Sequence, residues 1–550
     1  MKTDLTSRLG AAALVLLTAG CANTPGIERE TDTAKIIRDH VAVLSSDAME
    51  GRGVGTQGYE AAAGYVATVL ENAGLSPAAP GFRQDVPLIK IDTGSVDGTL
   101  MIDVNGEELD LEAGEDFGFY PPSDGGGEMY SAFGEGEVVF IGRGAFAPSL
   151  GLDPFRGVDL EGKVVMLMDG APEIEDGAAE IHIGRYDTKR KMLIERGVAG
   201  ILYVDVRDRD ISRLTRLPGY FNGGYLSLGA GMDRAVPTAV ISNDVAERIL
   251  TAGGYDWEEV FEKAKAGTGR SFALPARAVI RTEASSEAVD AYNVVAVLPG
   301  TNPDLADEAI VVTAHLDHLG IRHDDDDEDG EEPGNEEDEK DEEDGDVIYN
   351  GALDNATGTA IIMTVAQRLA AQGGTERPVI FAALTAEESG LLGAAHLARN
   401  LDQLGYEGIA NINVDMPVLT YPLETLIGFG TDYSTLAQPF DEVTREAGIR
   451  GVKDPVPEMR LFVRSDHYRF VQEGIPSIFL FNGMTGDDRE PFEAFMAEHY
   501  HKPSDEIDLP INWEDAAKLS DVTAALVQRI GNAPEAPRWY EGTPFSQPRP

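Results

Sequence analysis

Two adjacent glutamates, Glu387 and Glu388, lie in the stretch FAALTAEESGLLGA, where an apolar run ends and a segment of small residues and glycine begins. Neighbouring carboxylates repel, and no lysine or arginine occurs between Arg377 and Arg399 to pair with them. Other apolar runs end in the same kind of residue. VVTAHLDHLG carries His315, Asp317 and His318, NINVDMP ends in Asp415, and IYNGALDNATG places Asp354 just before a helical pattern. EHYHKPSD adds His499, Tyr500, His501 and Asp505. A lone histidine or aspartate is more often a satisfied structural residue. Several on one edge, with almost no arginine or lysine beside them, leave an excess of negative charge that a cation would neutralise. Carboxylates and imidazoles without a thiolate suit zinc, or manganese or cobalt, better than calcium. Two divalent ions would bring four positive charges against the three negative ones of Asp354, Asp415 and Glu388, leaving room for a bridging hydroxide formed from acidified water. Glu387, beside a ligand but pointing elsewhere, is then placed to take that water's proton. One glutamate would bind metal and its neighbour would be the general base.

Such residues need elements that bring strand ends together. From about Tyr292 the strand patterns NVVAVLPG, AIVVTAH, PVIFAALTA, IANINVD and IPSIFLFNG alternate with helical patterns such as ATGTAIIMTVAQRLAAQ and LLGAAHLARNL. This alternation predicts an α/β class, with a sheet sandwiched by helices and its binding groups at the carboxyl ends of strands. A different texture spans residues 130–285. The short strand patterns GEVVFIG, GKVVMLMDG, AGILYVD and VPTAVIS occur there with one helix, KRKMLIERG, and no clustered acid, base or nucleophile. Residues 31–75 are mainly helical in pattern. The glycine-rich EGRGVGTQG among them reads as a turn rather than a phosphate cradle, since no strand precedes it and no Gly-Lys-Ser/Thr follows. The expected division is 1–21 export signal, 22–30 linker, 31–129 N-terminal part of the catalytic region, 130–285 inserted unit, 286–532 catalytic unit and 533–550 a loose tail. Within the catalytic unit, Asp324 to Asp346 is a run of carboxylates relieved by a single lysine, Lys340. Such a run cannot bury apolar surface and is expected to be a solvated loop; the spacing of a calcium loop is absent.

In order and spacing, AHLDHLG, NGALDNATG, TAEESGLLGA, NVDMP and YHKPSD resemble the co-catalytic dizinc aminopeptidases of the bacterial leucyl-aminopeptidase type, over about residues 285 to 530. The resemblance implies the zinc exopeptidase fold, a mixed β-sheet sandwiched by helices, with two Zn2+ per chain. It implies that His315 and Asp415 hold one zinc and Glu388 and His501 the other, with Asp354 bridging. Asp317 would be the carboxylate of the His-x-Asp motif behind the ligands, Glu387 the general base, and Tyr500 a stabiliser of the tetrahedral intermediate. Residues 130–285 resemble a protease-associated (PA) domain, a smaller β-rich α/β unit inserted before the catalytic one. The stretch from Ser46 to Leu75 is similar to the family's N-terminal segment. The chain departs from the family in the length of the loop between His315 and Asp354, and no residue clearly marks a pocket for a free amine. The implied activity is removal of N-terminal residues from peptides. A carboxypeptidase or dipeptidase on the same scaffold is the alternative, with Arg460 and Arg464 the nearby arginines that would read a free carboxylate; a non-catalytic peptide-binding relative would be expected to have lost some of the ligands. Of the other histidines, His318 reads as supporting or structural, His323 as solvated, and His467, in RSDHYRF, equally as a substrate contact or a structural support. His40, His182 and His396 read as ordinary surface or packing residues, and His501 is favoured over His499 as ligand.

At 550 residues the chain exceeds one core, so two or three domains are expected. The 96 acidic and 44 basic residues give a net charge of -52, which repels nucleic acid and anionic headgroups and excludes both as partners; peptides are the expected substrates. The only cysteine, Cys21, ends LGAAALVLLTAGC, a short apolar core behind Lys2 and Arg8. This reads as an export signal rather than a membrane span, and it resembles a bacterial lipobox, with cleavage before Cys21 and acylation of its thiol. With no second cysteine there is no intrachain disulfide. The expected location is the bacterial outer membrane, through a lipid on Cys21, or the periplasm. Cys21→Ser should move the protein from the membrane fraction to the soluble one, because no other segment is apolar enough to anchor it. A variant that still sediments with membranes would rule out the lipid anchor.

Overall fold

The structure, a computed structural model, describes residues 31–121, 130–206, 224–229, 236–322 and 345–546. The export signal with Cys21, the linker 22–30, His323, the acidic run up to residue 344 and residues 547–550 lie outside the described residues. At its centre is a mixed sheet in the order Ser76–Pro77, Tyr292–Leu298, Val379–Leu384, Glu308–His315, Glu407–Val414, Ser477–Asn482, Thr425–Phe429 and Arg450–Val452, with Arg83–Asp85 also paired to Tyr292–Leu298. Its four middle strands, from Val379–Leu384 to Ser477–Asn482, run parallel. They are near-continuous runs of apolar residues because both faces are covered. On one face Ile310, Val312 and Ala314 pack with the helices Asp32–Leu44, Thr357–Ala371 and Trp513–Gly531. On the other, Ala309 and Val311 pack with Ala394, Leu397 and Ala398 of the helix Leu392–Arg399 and with Phe470. The chain therefore leaves the His315 strand over one face and the neighbouring Leu384 strand over the other. That divergence opens a crevice at their carboxyl ends, where open α/β sheets bind ligands.

A second, eight-stranded sheet runs in the order Glu107–Glu108, Asp97–Val104, Phe272–Ala284, Tyr130–Phe140, Val164–Met168, Gly200–Val204, Thr238–Ile241 and Phe117–Phe119. The helices Asn243–Ala252 and Trp257–Lys265 cover one face, and the other packs on Leu193 of the helix Tyr186–Glu195. The chain enters and leaves this unit through two strands, Leu88–Asp92 and Ser286–Val289, paired antiparallel with Leu88 opposite Val289. Every strand pattern named from sequence forms a strand here. The sheet also takes in Asp97–Phe119, which lies before the start expected at residue 130. Its signal was present in the sequence: Leu100, Ile102 and Val104 alternate with outward residues, and Asn105-Gly106, both at positive φ, make the tight hairpin turn to Glu107.

The tail is not loose over its described part. Trp539 Nε1 donates to the Gly474 carbonyl at 2.9 Å, Tyr540 N donates to the Tyr433 carbonyl, and Phe545 is buried against Tyr433, Phe462 and His182. Three aromatic anchors outweigh the prolines that made the segment read as unstructured.

The glycine-rich EGRGVGTQG is a turn, and it carries a residue with no sequence signal of its own. Glu50, Gly51 and Arg52 all have positive φ. A Cβ on Gly51 would stand 2.4 Å from the Gly320 carbonyl oxygen, so only glycine fits. The turn drives the Arg52 side chain fully into the protein, where Nη1 donates to the Leu44 and Asn350 carbonyls, Nε to Leu316 and Nη2 to Gly351, at 2.6 to 3.0 Å. It thus ties the N-terminal segment to both loops that carry His315 and Asp354. Arg52→Met should destabilise the protein by about 3 kcal/mol or more, because buried carbonyls lose their donors. A lower urea midpoint is the expected reading; an unchanged one would mean that water replaces the guanidinium.

Candidate metal centre

The crevice collects the predicted residues from four strand ends. His315 closes its strand, and its Nδ1 faces the Asp317 main-chain carbonyl at 3.0 Å. That contact fixes the ring so that Nε2 faces Asp415 Oδ1 at 2.9 Å and Asp354 Oδ1 at 3.2 Å. On the other side of Asp354, Oδ2 lies 3.4 Å from His501 Nε2, which is also 3.2 Å from Glu388 Oε2. Asp354 therefore stands between two imidazoles, each with a further carboxylate. Its backbone is held by Asp505, whose carboxylate accepts from the Leu353 and Asp354 amides. Asn355 accepts from the Gly358 and Met416 amides and donates to the Val414 carbonyl, which locks the Asp415 loop against the Asp354 loop. Ser465 donates to Asp415 Oδ2 at 2.5 Å.

After Leu384 the chain turns through Ala386 at positive φ and presents Glu387 and Glu388. Glu388 Oε1 accepts from His318 Nδ1 at 2.7 Å, so His318 orients this glutamate. The Asp317 carboxylate accepts from the Glu387 amide at 3.1 Å; it steadies the glutamate loop, while the contact to the His315 ring comes from its main chain. Tyr500 stacks on the His501 ring at 3.8 Å. Burial and then the carboxylates of Asp354, Glu388, Glu387 and Asp415 push its phenol well above the usual range, so the hydroxyl stays protonated.

The electrostatics show how the site fits metal. Among the described residues, three sets offer ligand atoms within 4.8 Å of one another: His315, Asp354 and Asp415; His315, Glu387 and Glu388; His318, Asp354 and Glu388. Burial would lower both imidazoles, but Asp415 and Glu387 push His315 well up, and Glu388 and Asp354 push His501 up to about 10. Burial, and then Asp415, Glu388 and Asp466, push Glu387 well above the carboxylate range. Burial and Glu388 push Asp317 up to about 7. Left to protons, the cluster draws them onto groups that ordinarily go without, which is the demand a cation meets. His501 Nε2 is buried and makes no hydrogen bond despite its two carboxylate neighbours. The donor set of carboxylates and imidazoles is one that zinc takes. The residues therefore fit two metal ions.

The sequence reading expected almost no basic residue nearby. Arg52 corrects that: its buried charge acts on Asp505, Asp354, Asp317 and Glu388. Asp505 and Ser465 were visible in the motifs, but nothing in their spacing gave their roles. His467 is fully buried between Phe462 and Phe479, a packing residue rather than a substrate contact. His499 bonds Ser504 instead of joining the cluster, His40 bonds Tyr65 and His182 bonds Tyr468. His396 contacts Asn400. Arg460 and Arg464 are exposed.

Fold and site together define a mixed α/β protein with a cluster of carboxylates and imidazoles that could hold metal at the carboxyl edge of its parallel strands. Residues 293–527, which contain all the candidate site residues, match the model of peptidase family M28. Over 487 residues the chain is 23% identical to the probable lipoprotein aminopeptidase LpqL of Mycobacterium tuberculosis, covering 83% of this chain and 76% of that one. Solved structures that resemble it include an aminopeptidase from Aneurinibacillus sp. strain AM-1, at 17% identity, 92% and 96% coverage and a TM-score of 0.41. Another is BSAP, a zinc aminopeptidase from Bacillus subtilis, at 16% identity, 95% and 100% coverage and a TM-score of 0.43. No helix among the described residues is long and apolar enough to cross a membrane.

Proposed function

We propose that the chain is a zinc-dependent aminopeptidase that removes N-terminal residues from peptides. The observation that carries this reading is Asp354, set between His315 and His501, with Glu387 beside the second site's Glu388 but outside that set's contacts. The match of residues 293–527 to peptidase family M28 and the name of the mycobacterial relative support it. His315 and Asp415 would hold one zinc, Glu388 and His501 the other, and Asp354 both. When bound, the metal pair would acidify a water and polarise the scissile carbonyl. The chain's own residues do the rest. Asp317 fixes the Glu387 amide and His318 fixes Glu388, so the base and the ligand keep separate directions. The Glu387 carboxylate takes the water's proton and delivers it to the leaving amine. The Tyr500 hydroxyl donates to the oxygen on which charge develops. In this reading the second sheet unit is a protease-associated domain, and Cys21 carries the lipid that tethers the exported enzyme, as the relative's description as a lipoprotein supports.

The adjacent glutamates should fail differently. Glu387→Gln removes a proton acceptor and no ligand, so both metals should stay while turnover falls by about 10²-fold or more. Glu388→Gln weakens one coordination sphere, and metal content should fall toward one ion per chain. Metal analysis beside kinetics separates the two; equal metal loss, or normal turnover in Glu387→Gln, would reverse the assignment.

Direction of attack is tested by giving the zinc-loaded protein aminoacyl-anilides and N-blocked dipeptides side by side. Hydrolysis of the free-amine substrates alone is expected. Cleavage confined to blocked peptides would make the protein a carboxypeptidase.

A further inference from the structure

The inserted unit and the catalytic loop are joined by a line of charge that the proposed chemistry does not use. Asp187, near the start of the helix Tyr186–Glu195, accepts from Arg185 Nε and Nη2 at 3.0 Å each. It also accepts from Arg469 Nη1 at 2.8 Å, across the boundary between the two units. Arg469 lies on the short helix His467–Gln472, and its Nη2 donates to the Gly390 carbonyl at 2.7 Å. Gly390 closes the loop that carries Glu387 and Glu388. The peptide that follows it is gripped at both ends. Its carbonyl accepts from Arg469, while its N–H, that of Leu391, donates to the Glu387 carbonyl at 2.8 Å, as does the Gly390 N–H. Leu391, with a side chain, is held at positive φ, a conformation that the surrounding contacts must sustain.

We infer that Asp187 is a positioning residue for the general base: it fixes Arg469, which fixes the Gly390–Leu391 peptide and, through it, the backbone of Glu387. The Arg469 side chain is only 11% exposed, and its Nη1 is shared between Asp187 and the neutral Gln472 Oε1 at 2.9 Å; without Asp187 it would lose its one carboxylate contact and be aimed by the weaker amide contact alone. The base is thus held from both sides, its own N–H by Asp317 and its carbonyl through Arg469. The effect belongs to turnover rather than to binding, because a small displacement of the base spoils proton transfer while leaving ligands and cleft in place. The inference rests on the aminopeptidase reading for its kinetic half only.

The test compares Asp187→Asn, Arg469→Ala and Lys191→Ala in the full, zinc-loaded protein. Lys191 pairs with Glu473 at 2.9 Å across the same boundary but does not touch the loop, so its loss loosens docking alone. Asp187→Asn and Arg469→Ala should keep both metals and nearly the same KM, with kcat down about 10-fold or more. Lys191→Ala should match the wild type. Millimolar guanidinium should restore part of the turnover of Arg469→Ala. Independently of activity, amide exchange at Gly390 and Leu391 should quicken in the first two variants and not in the third. If Arg469→Ala does not fold, Asp187→Asn decides, since it changes charge without changing shape. Unchanged kcat and exchange in Asp187→Asn, or an equal loss in Lys191→Ala, would overturn the inference. A wild type that cleaves no aminoacyl-anilide would sink the proposed activity instead, and the exchange data would still judge the clamp.

Discussion

The structure is organised around one electrostatic difficulty: five carboxylates, those of Asp317, Asp354, Glu387, Glu388 and Asp415, converge on the carboxyl edge of a parallel sheet, all of them largely out of contact with water. The middle strands can carry unbroken apolar runs only because helices cover both faces. That same cover removes the water which would otherwise screen the charges. Everything near the edge then works to hold like charges where they repel. Asp505 and Asn355 bond backbone amides rather than side chains, and Ser465 and His318 each hold one carboxylate oxygen. These contacts set where each oxygen points and leave others turned inward, which a metal-binding edge requires.

The division of labour between Glu387 and Glu388 follows from how the loop is built, not from the side chains, which are chemically alike. Ala386, Gly390 and Leu391 all take left-handed backbone angles. Such a turn points successive residues in different directions within very little chain. His318 and His501 face Glu388, while Glu387 is held through its backbone alone. A ligand must be gripped by its oxygens, whereas a base must keep them free to accept a proton. The contacts sort the pair accordingly.

Much of this was legible in the sequence, for physical reasons that differ by element. Apolar runs of four to eight residues between turn formers are strands wherever they are buried on both faces, and those readings held throughout. Residues that are costly to bury without a partner marked the edge, and the family resemblance then implied His315, Asp354, Asp415, Glu388 and His501 among them as ligands. Asp97–Phe119 was less visible because its strands are half-exposed and read as polar, and the alternation of Leu100, Ile102 and Val104 with the Asn105-Gly106 turn was too short a signal to set against that. The roles of Arg52, Asp505 and Asp187 were not legible, although Asp505 stands in one of the motifs. Each acts on residues far along the chain, Arg52 on Asn350, Asp505 on Asp354 and Asp187 on Arg469, and no local pattern records such a pairing. His467 misled because its neighbours in RSDHYRF do serve the site: Ser465 holds Asp415 while the histidine itself turns into the core.

Arg52 shows why the compensating charge takes the form it does. A lysine or arginine paired directly with Asp354 or Glu388 would neutralise it, but the pair would occupy the oxygens a metal needs. Arg52 avoids this by giving its donors to four main-chain carbonyls and to no carboxylate. Its charge, though burial lowers its pKa to about 10, is still carried at neutral pH, and it reaches Asp505, Asp354, Asp317 and Glu388 through space. Only a guanidinium can do this, because it offers five N–H groups in a plane and keeps its proton when buried, whereas an ammonium would offer three and shed its proton more readily. Lys189 illustrates the contrast: fully buried beside the Gly170 carbonyl, its amine is pushed down to about 7 by burial. In a chain with so few basic residues for its acids, a buried arginine bonded only to backbone lowers the repulsion among the ligands while leaving every ligand oxygen free.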